Sequence, residues 1–261
     1  MVDCHIHSSF SPDSSEKIED IVDYCIKNNI KTIGISDHYD FRNPDPLFSK
    51  GFDIDSYVSA IERVSKKMDL LKGIEIGYDP REIKKINALG NDENFDYSIL
   101  SVHTIFDKNL HDEMFFRKDN IYEQFKVYFK HIRDMVDNVD EFQILGHLDY
   151  PSRYKDYLDM ERVFNENKDT IADIFKILIM KEKVLEVNGA GLRYYHKEPN
   201  PSKNILTLYK DLGGKLISYG SDAHYKNYVG FGWETVSELL KNVGFLEAHY
   251  FKNKSVKCYN L

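Results

Sequence analysis

Histidine residues with the spacing of metal ligands stand near the start of the sequence, at His5 and His7, and Asp13 follows them. Residues two apart on an extended strand project to the same face, so the two imidazoles can bind one cation together. Cys4 must then face the opposite side of the strand, which argues against a thiolate ligand here. A His-x-His pair is common in proteins, and its meaning depends on the rest of the chain.

More residues of the same kind follow short apolar segments that have the length and composition of buried strands. In parallel α/β barrels the catalytic groups lie at the carboxyl ends of the strands, where the strand-to-helix loops converge. Core packing does not explain so many strands ending this way, because buried charged groups are rare without partners. The residues are Asp37 with His38, Glu75, His103, His147, and Asp222 with His224.

The elements that must position these side chains alternate between strand and helix. After a strand that begins at residue 2, strands are predicted at residues 32–36, 70–77, 97–102, 143–146, 184–188 and 216–220. Amphipathic helices are predicted at residues 16–29, 54–68, 121–136, 160–180, 202–212 and 234–242, with Ser14 or Ser15 as the first N-cap. This alternation predicts an α/β fold with a parallel sheet closed as a barrel, in a single domain over residues 1–261.

The composition argues against several classes of protein. A net charge of −8 disfavours binding of extended nucleic acid, since such proteins carry basic surfaces. No apolar run reaches the roughly 18 residues of a membrane span, and no signal peptide is recognisable. Three cysteines without a Cys-x-x-Cys pair favour the reducing cytoplasm. We expect a cytoplasmic protein, and the sequence leaves open whether it forms a homodimer.

The number and type of the candidate ligands predict more than one metal. Nine candidates exceed the needs of one tetrahedral ion, so we expect two or three divalent cations that share a bridging carboxylate. Imidazole and carboxylate ligands without thiolates suit zinc, manganese or iron and argue against a structural zinc site.

The motifs in this order resemble those of the polymerase-and-histidinol-phosphatase (PHP) superfamily. The resemblance runs from residue 2 to about residue 232 and includes Ser-Val-His at 101–103, Gly-His at 146–147 and Gly-Ser-Asp-Ala-His at 220–224. Two longer matches, His-Ser-Ser-Phe-Ser-Pro-Asp at 7–13 and Asn-Gly-Ala-Gly-Leu-Arg at 188–193, resemble the stand-alone histidinol-phosphatases of histidine biosynthesis. The resemblance implies a distorted (β/α)7 TIM-like barrel that holds three metals.

The resemblance also implies how the candidate ligands divide among three metals. Some relatives have histidine at the position of Asp13, which leaves the identity of the third metal open. The implied sets are His5, His7, Glu75 and Asp222 for the first metal, Glu75, His103 and His147 for the second, and Asp13, His38 and His224 for the third.

The implied reaction is the hydrolysis of L-histidinol phosphate, a small phosphorylated substrate, to L-histidinol and phosphate. Clustered divalent metals would lower the pKa of a bridging water and neutralise the phosphoryl oxygens, so that hydroxide attacks phosphorus in line. Glu75, Asp222 and His224 are the predicted catalytic residues. Loss of Glu75 or Asp222 should abolish activity, because each is expected to bind metal directly.

Other residues beside the strand ends are candidates for contacts with the substrate. Arg153 and Arg193 follow strand ends on the same rim as the candidate ligands. Arginine suits bidentate contact with phosphate, so we expect both to bind it. Tyr39 and Phe106, beside candidate ligands, are expected to line a pocket for the substrate's imidazole.

Two further acids, Asp3 and Asp149, lie on the same strand faces as the candidate ligands His5 and His147. Each can accept a hydrogen bond from an imidazole and so orient it, or serve as an ordinary structural acid. The sequence does not decide between these roles.

Three alternative functions are weaker. Asp53 and Asp55 match the spacing of the nucleophile motif of haloacid-dehalogenase phosphatases, but no apolar strand precedes them. A PHP phosphoesterase acting on nucleotides or short oligonucleotides is disfavoured by the charge of −8 and by the absence of a basic, aromatic-interleaved groove. An inactive PHP scaffold is disfavoured because every ligand position holds a competent residue.

Overall fold

Strands and helices alternate along most of the chain in a computed structural model that describes residues 1–111 and 115–261. The strands are β1 (Val2–Asp3), β2 (Thr32–Ile35), β3 (His38–Asp40), β4 (Asp69–Gly77), β5 (Tyr97–Ser101), β6 (Thr104–Ile105), β7 (Lys108–Asn109), β8 (Ile144–Leu145), β9 (Val184–Asn188), β10 (Ile217–Gly220), β11 (Glu247–Lys252) and β12 (Ser255–Asn260). The helices are α1 (Ile18–Lys27), α2 (Ile54–Val64), α3 (Ile83–Gly90), α4 (Ile121–Asn138), α5 (Met160–Met180), α6 (Lys203–Asp211) and α7 (Trp233–Val243).

The main sheet is parallel and nearly closed. Strands β1, β2, β4, β5, β8, β9 and β10 lie side by side in that order, and β3 pairs with the last residues of β4. The outer edges meet where Ile6 forms a bridge with Ala223 and the backbone N of Cys4 donates to the O of Tyr219 at 2.9 Å. The sheet is therefore almost a barrel of seven strands, and the predicted distorted (β/α)7 barrel is confirmed.

Helix α5 shows how apolar periodicity builds the outer layer. Its buried side chains include Val163, Ile171 and Ile174, which recur at helical spacing on the face toward the core. At its start the side chain of Asp159 accepts a hydrogen bond from the backbone N of Arg162, at 3.0 Å. The bounds of α5 match the prediction. No helix within residues 1–111 and 115–261 combines the length and hydropathy needed to cross a membrane.

The first helix begins later than predicted. Helix α1 starts at Ile18, and Lys17 at its N-cap position makes no side-chain capping bond. The hydroxyl of Ser14 instead donates to the backbone O of His224, at 3.0 Å. The predicted serine cap is therefore wrong, because this segment crosses the end of the barrel beside a candidate ligand.

Sequence periodicity missed β3, α3 and the two hairpins, β6–β7 and β11–β12. Strands β11 and β12 are joined by Asn253 and Lys254, both with positive φ, at 49° and 58°. Glycine is the usual sequence signal for a turn of this kind, and neither of these two residues is glycine. Phe251 and Tyr259 of the hairpin pack against the barrel, and the Tyr259 hydroxyl donates to the O of Val2 at 3.1 Å.

Apolar side chains fill the barrel near the amino-terminal ends of its strands. Leu71, Tyr97 and Ile144 are fully or almost fully buried there, together with Cys4. The Tyr97 hydroxyl donates to the O of Cys4 at 2.6 Å. Cys4 therefore lies inside the barrel, and the expectation that it faces the opposite side of its strand from His5 and His7 is wrong. Its thiol is nevertheless in none of the compact groups of ligand atoms among the described residues.

Candidate metal centre

The carboxylate of Glu75, in the carboxyl-terminal half of β4, lies at the centre of the candidate site and is fully buried. Its two oxygens face imidazoles from several other strand ends, which is the placement expected of a bridging ligand. Oε1 lies 3.0 Å from Nε2 of His147 and 3.2 Å from Nε2 of His103. Oε2 lies 2.7 Å from Nδ1 of His38, 3.3 Å from Nε2 of His5 and 3.7 Å from Nε2 of His7.

A second carboxylate, Asp222, lies across the cluster just beyond β10. Its Oδ1 is 3.4 Å from Nε2 of His7 and 3.7 Å from Nδ1 of His224. Its φ of 52° is left-handed, a conformation that non-glycine residues adopt mainly at constrained places such as functional sites. Oδ2 of Asp13 lies 2.9 Å from Nε2 of His224 and 3.5 Å from Nε2 of His38. The nine residues predicted as metal ligands thus lie in one cluster.

Among residues 1–111 and 115–261, three groups of ligand atoms are compact enough to hold a cation, with all atoms of a group within 4.8 Å of one another. The first group follows the implied first set without Asp222. The other two groups differ from the implied sets, because His7 and His38 each belong to two groups. The division of ligands among individual metals therefore stays a prediction. The groups are His5, His7 and Glu75; His38, Glu75 and His103; and His7, His38 and His224.

Four buried polar atoms of the cluster have no hydrogen-bond partner in the described part of the chain, and these are Nε2 of His5, Nε2 of His7, Nδ1 of His38 and Oε2 of Glu75. Such atoms are rare in folded proteins because burying them unpaired is unfavourable. The three nitrogens all face the one oxygen, so cations coordinated among them would satisfy all four. The residues present therefore fit divalent metals that accept nitrogen and oxygen ligands.

Electrostatic interactions keep the carboxylates of the cluster ionised. Burial opposes the charge on Glu75, but attraction to His5 and His103 holds its pKa well below the usual range. The pKa of Asp222 is also well below its usual value, since attraction to His5 outweighs burial. The pKa of His103 is raised to about 9 because the neighbouring Asp40 and Glu75 outweigh burial. The carboxylates Glu75 and Asp222 are therefore available as anionic ligands for a cation that displaces the protons of the neighbouring imidazoles.

Two acids that sequence reasoning missed contact Nδ1 of ligand imidazoles, the nitrogen on the side of the ring away from Glu75. Oε1 of Glu186, in β9, lies 2.6 Å from Nδ1 of His5, and Oδ1 of Asp40, in β3, lies 3.1 Å from Nδ1 of His103. Both histidines then direct Nε2 toward Glu75, as metal-binding imidazoles with a carboxylate partner do. Glu186 is an acid within an apolar strand, as Glu75 is, and this signal was available in the sequence.

The side chain of Asp37 binds the loop that follows His7, and its backbone O accepts a hydrogen bond from the backbone N of Glu75, at 3.0 Å. Its oxygens accept hydrogen bonds from the backbone N atoms of Ser8 and Ser11, at 2.7 and 2.9 Å, and from both serine hydroxyls. The Ser11 hydroxyl in turn lies 3.0 Å from Nδ1 of His7. Asp37 thereby fixes the ring of His7 through the loop.

Asp3 and Asp149 accept hydrogen bonds from groups other than imidazoles. Asp3 accepts from the backbone N atoms of Ser221, at 2.9 Å, and Gly230, at 2.8 Å. Asp149 accepts from the side-chain amide of Asn200, at 2.6 Å, and from the backbone N of residue 202, at 3.0 Å. Of the two roles that the sequence left open for these acids, the structure therefore supports the structural one.

Arg153 is buried and bound on three sides. NH1 donates to Oδ2 of Asp222 at 2.7 Å, NH2 to the side-chain O of Asn188 at 2.7 Å, and Nε to that of Asn200 at 2.6 Å. The guanidinium lines a cavity of about 100 Å³ beside the cluster. Arg153 therefore holds the candidate ligand Asp222 in place as well as reaching the predicted phosphate position.

Arg193 lines the same cavity with a free donor. Its NH2 donates to the backbone O of Asp222 at 3.1 Å, and its guanidinium lies over the rings of Tyr228 and Phe231, at 4.7 and 5.6 Å. Its NH1 is buried and has no hydrogen-bond partner among the residues that the structure describes. Since a buried guanidinium donor needs an acceptor, an anion in this cavity is the natural partner.

The two aromatics expected at the substrate pocket lie elsewhere. Tyr39 packs against Phe41 and Phe52, because consecutive residues of a strand face opposite sides and His38 takes the side of the site. Phe106 is 75% exposed on the turn of the β6–β7 hairpin and borders a different cavity. The prediction that Tyr39 and Phe106 line the pocket is wrong.

A larger cavity of about 390 Å³ adjoins the cluster and takes their place. It shares Asp13, His38, His103 and two tyrosines with the cavity that holds the arginines. Sequence reasoning missed its aromatic and acidic lining, because these residues lie on loops without periodicity. The shared tyrosines are Tyr150 and Tyr154, and the remaining lining residues are Asp40, Asn43, Asp45, Phe48, Asn109 and His111.

Fold and site together define a parallel α/β-barrel protein with a histidine- and carboxylate-rich candidate metal centre at the carboxyl ends of its strands. The sequence model of the family described as PHP domain matches residues 3–190 of the chain. The chain therefore belongs to the PHP domain family.

Relatives match nearly the whole chain and place it in the predicted branch of histidinol-phosphatases. A protein of Thermotoga maritima named probable histidinol-phosphatase is 35% identical over 245 residues, covering 94% of this chain and 93% of its own. The histidinol-phosphatase of Lactococcus lactis subsp. lactis is 32% identical over 260 residues, covering 98% and 96%. A crystal structure of histidinol phosphate phosphatase from that organism, complexed with zinc, L-histidinol and phosphate, has a TM-score of 0.88 and 29% identity, and the match covers 98% of each chain.

Proposed function

We propose that this chain hydrolyses L-histidinol phosphate to L-histidinol and phosphate, with divalent metals bound by the nine candidate ligands. The observation that carries the proposal is the pair of adjoining cavities over the ligand cluster. The smaller contains Arg153 and Arg193, and the larger contains acids and aromatic rings. The Lactococcus structure of the same fold, complexed with zinc, L-histidinol and phosphate, supports this assignment.

The metals are proposed to be three per chain, drawn from zinc, manganese and iron. When bound, they would supply an activated water and neutralise charge on the phosphoryl oxygens. Glu75 and Asp222 provide the negative charge that retains the cations, and Glu75 faces ligands of more than one position. His224 is part-buried beside Asp13 and lines the smaller cavity, where it can contact the phosphoryl group.

The phosphoryl group is proposed to occupy the smaller cavity. Arg193 supplies a donor that no described residue accepts, and the aromatic rings beneath its guanidinium keep it in place. Arg153 adds positive charge but is mainly engaged with Asp222 and two asparagines. We therefore assign direct phosphate contact chiefly to Arg193 and orientation of Asp222 to Arg153.

The alcohol leaving group is proposed to occupy the larger cavity. Its volume of about 390 Å³ is within the range of small-molecule sites. Phe48, Tyr150 and Tyr154 offer ring faces and edges for an imidazole. Asp45 accepts one bond from the backbone N of Leu47 and has no cationic partner among the residues described, so it can receive the substrate's ammonium.

The experiment that tests this function measures phosphate release from L-histidinol phosphate beside a panel of nucleotides and sugar phosphates, with zinc or manganese supplied. We expect a strong preference for L-histidinol phosphate that chelation abolishes. Activity spread over nucleotides would instead assign the chain to a nucleotide-directed phosphoesterase. Protein without bound metal and without metal-dependent phosphate release would indicate an inactive scaffold.

Several other features of the sequence interpretation remain predictions. They are the single domain over residues 1–261, the cytoplasmic location, the absence of nucleic-acid binding and the homodimer that the sequence left open. Light scattering of the purified chain measures its oligomeric state. All three cysteines, Cys4, Cys25 and Cys258, are free thiols in the structure, which agrees with a reducing compartment.

A further inference from the structure

Strand β9 carries none of the nine candidate ligands, yet its inward side chains contact several of them. Glu186, 1% exposed, lies with Oε1 2.6 Å from Nδ1 of His5. Its other oxygen, Oε2, accepts a hydrogen bond from the backbone N of His147 at 2.7 Å. One buried carboxylate therefore touches ligands that belong to the first and the second implied metal.

The neighbouring strand leaves room for this contact. A Cβ atom at Gly220 in β10 would lie 2.3 Å from Oε1 of Glu186 and 2.5 Å from Cβ of His5. Both distances are far inside van der Waals contact, so only glycine allows the two side chains to approach as they do. The absence of a side chain at position 220 is thus a second, independent sign that the Glu186–His5 contact is built into the barrel.

We propose that Glu186 is a positioning residue that fixes the ring of His5 and the backbone of His147, and so sets two adjacent metal positions relative to each other. The proposal rests on the metal centre of the proposed function. With the Nδ1 proton donated to Glu186, the lone pair of His5 is on Nε2, which faces Glu75 at 3.3 Å. The hydrogen bond from the backbone N of His147 to Glu186 likewise fixes the position of the His147 backbone, from which the imidazole extends. Nε2 of that imidazole lies 3.0 Å from Oε1 of Glu75.

A glutamate suits this role because it presents one acceptor to each of its two ligand contacts, Oε1 to His5 and Oε2 to the backbone N of His147. Oε2 also accepts from the side-chain amide of Asn188, at 3.2 Å. Glutamine has the same size, but its amide carries one acceptor and one donor, so Glu186→Gln loses one of the two bonds. If the amide NH2 faces Nδ1 of His5, the imidazole is driven to the tautomer with a proton on Nε2. That tautomer cannot coordinate a metal through Nε2.

The test is zinc affinity of the full chain, measured by competition with a chelator, together with the unfolding temperature of the metal-free protein. Glu186→Gln should weaken zinc binding by roughly 10- to 100-fold and change the metal-free unfolding temperature little. Gly220→Ala, which displaces the same contact, should weaken it in the same way. If Glu186→Gln does not fold, Glu186→Asp, which keeps both acceptors on a shorter arm, is judged by the same measure.

Asp96→Asn is the matched control. Asp96 is also a buried carboxylate that accepts two backbone N–H bonds, from Lys72 and Asn253 at 2.8 and 2.6 Å, but it lies just before β5 at the opposite end of the barrel. Its replacement should lower the unfolding temperature without a matching loss of zinc affinity. Wild-type zinc affinity in the Glu186 variants would overturn the proposal. So would a loss of zinc affinity in Asp96→Asn as large as that in the Glu186 variants, because any loss of stability would then weaken zinc binding.

The zinc measurement is independent of the substrate. If the wild-type chain binds zinc but does not hydrolyse L-histidinol phosphate, the proposed function fails while the role of Glu186 stands. If the wild-type chain hydrolyses L-histidinol phosphate but the Glu186 variants bind zinc normally, the proposed function stands and the role of Glu186 fails.

Discussion

His38 meets Glu75 through Nδ1, at 2.7 Å, whereas the four other imidazoles at this carboxylate present Nε2. Its second nitrogen, Nε2, faces Asp13 at 3.5 Å. His38 thus connects the carboxylate at the centre of the cluster with the outermost acid. The imidazole of His38 therefore lies between the Glu75 carboxylate and the Asp13 carboxylate.

Removal of His38 should therefore differ from removal of Glu75. Glu75→Ala is expected to lose most bound metal and to lower kcat/KM by at least about 1000-fold, which is about 4 kcal/mol. His38→Ala should lose one metal and keep the rest, because Glu75 retains its other neighbours. Elemental analysis of the dialysed proteins gives the metal content per chain. Glu123→Ala, at an exposed position of α4, is the control, and a Glu75 variant with full metal content and near wild-type turnover would contradict the assignment.

The two arginines should separate in their effects. Arg193→Ala is expected to weaken competitive inhibition by inorganic phosphate by roughly 10- to 100-fold, since it removes a charged donor, while stability changes little. Arg153→Ala leaves Asp222 without its buried partner and should reduce the free energy of unfolding by about 3–5 kcal/mol. Inhibition constants and chemical denaturation of both variants measure this. Equal losses of stability would show that Arg193 is structural as well.

Asp45 should affect the amine of the substrate and not the phosphate. Asp45→Asn is expected to raise KM for L-histidinol phosphate about tenfold, equivalent to about 1.4 kcal/mol, through loss of a charge-assisted contact. KM for a phosphate ester without an ammonium group should stay the same. Asp55→Asn, at an exposed position of α2, is the matched control. An equal rise of KM for both esters would place the ammonium elsewhere.

Metal binding should release protons. Without metal the pKa of His103 is raised to about 9 by Asp40 and Glu75 against the effect of burial, so at pH 7 this imidazole is protonated. A cation requires the neutral ring, so the proton must leave when His103 binds metal. Zinc titrations by calorimetry at pH 7, in buffers with different ionisation enthalpies, should show heats that depend on the buffer. The contribution of His103 should fall to half near pH 9 and vanish only well above it. Heats independent of the buffer at pH 7 would contradict the prediction.

The candidate ligands could be predicted because they obey local rules. Residues such as His5 and His7 alternate on a strand, and Asp222 and His224 follow an apolar run. The same alternation rule excludes Tyr39 from the site, since it adjoins His38 on a strand. The barrel followed from the succession of strands and helices, but its short β3 strand and C-terminal hairpin carry no clear period.

The residues that support the ligands could not be assigned in the same way. Which histidine Glu186 holds depends on the order of strands around the barrel, since β9 reaches His5 only because the sheet closes. Asp40 and Arg153 likewise act on partners far away in sequence. The loop residues Asp45 and Phe48 line a cavity whose existence depends on the folding of several connections at once.

Asp3 connects the first strand to the segment that follows β10, its neighbour where the sheet closes. It accepts hydrogen bonds from Ser221, 218 positions away in sequence, and from Gly230, 227 positions away. Pairings of such separation give the chain a high contact order, and they form slowly because a long loop must close before they contribute. A nascent chain on the ribosome carries His5 and His7 long before Asp222 has been synthesised. We therefore expect the full ligand cluster to assemble only after almost all of the barrel has been translated, so that metal is acquired at the end of folding.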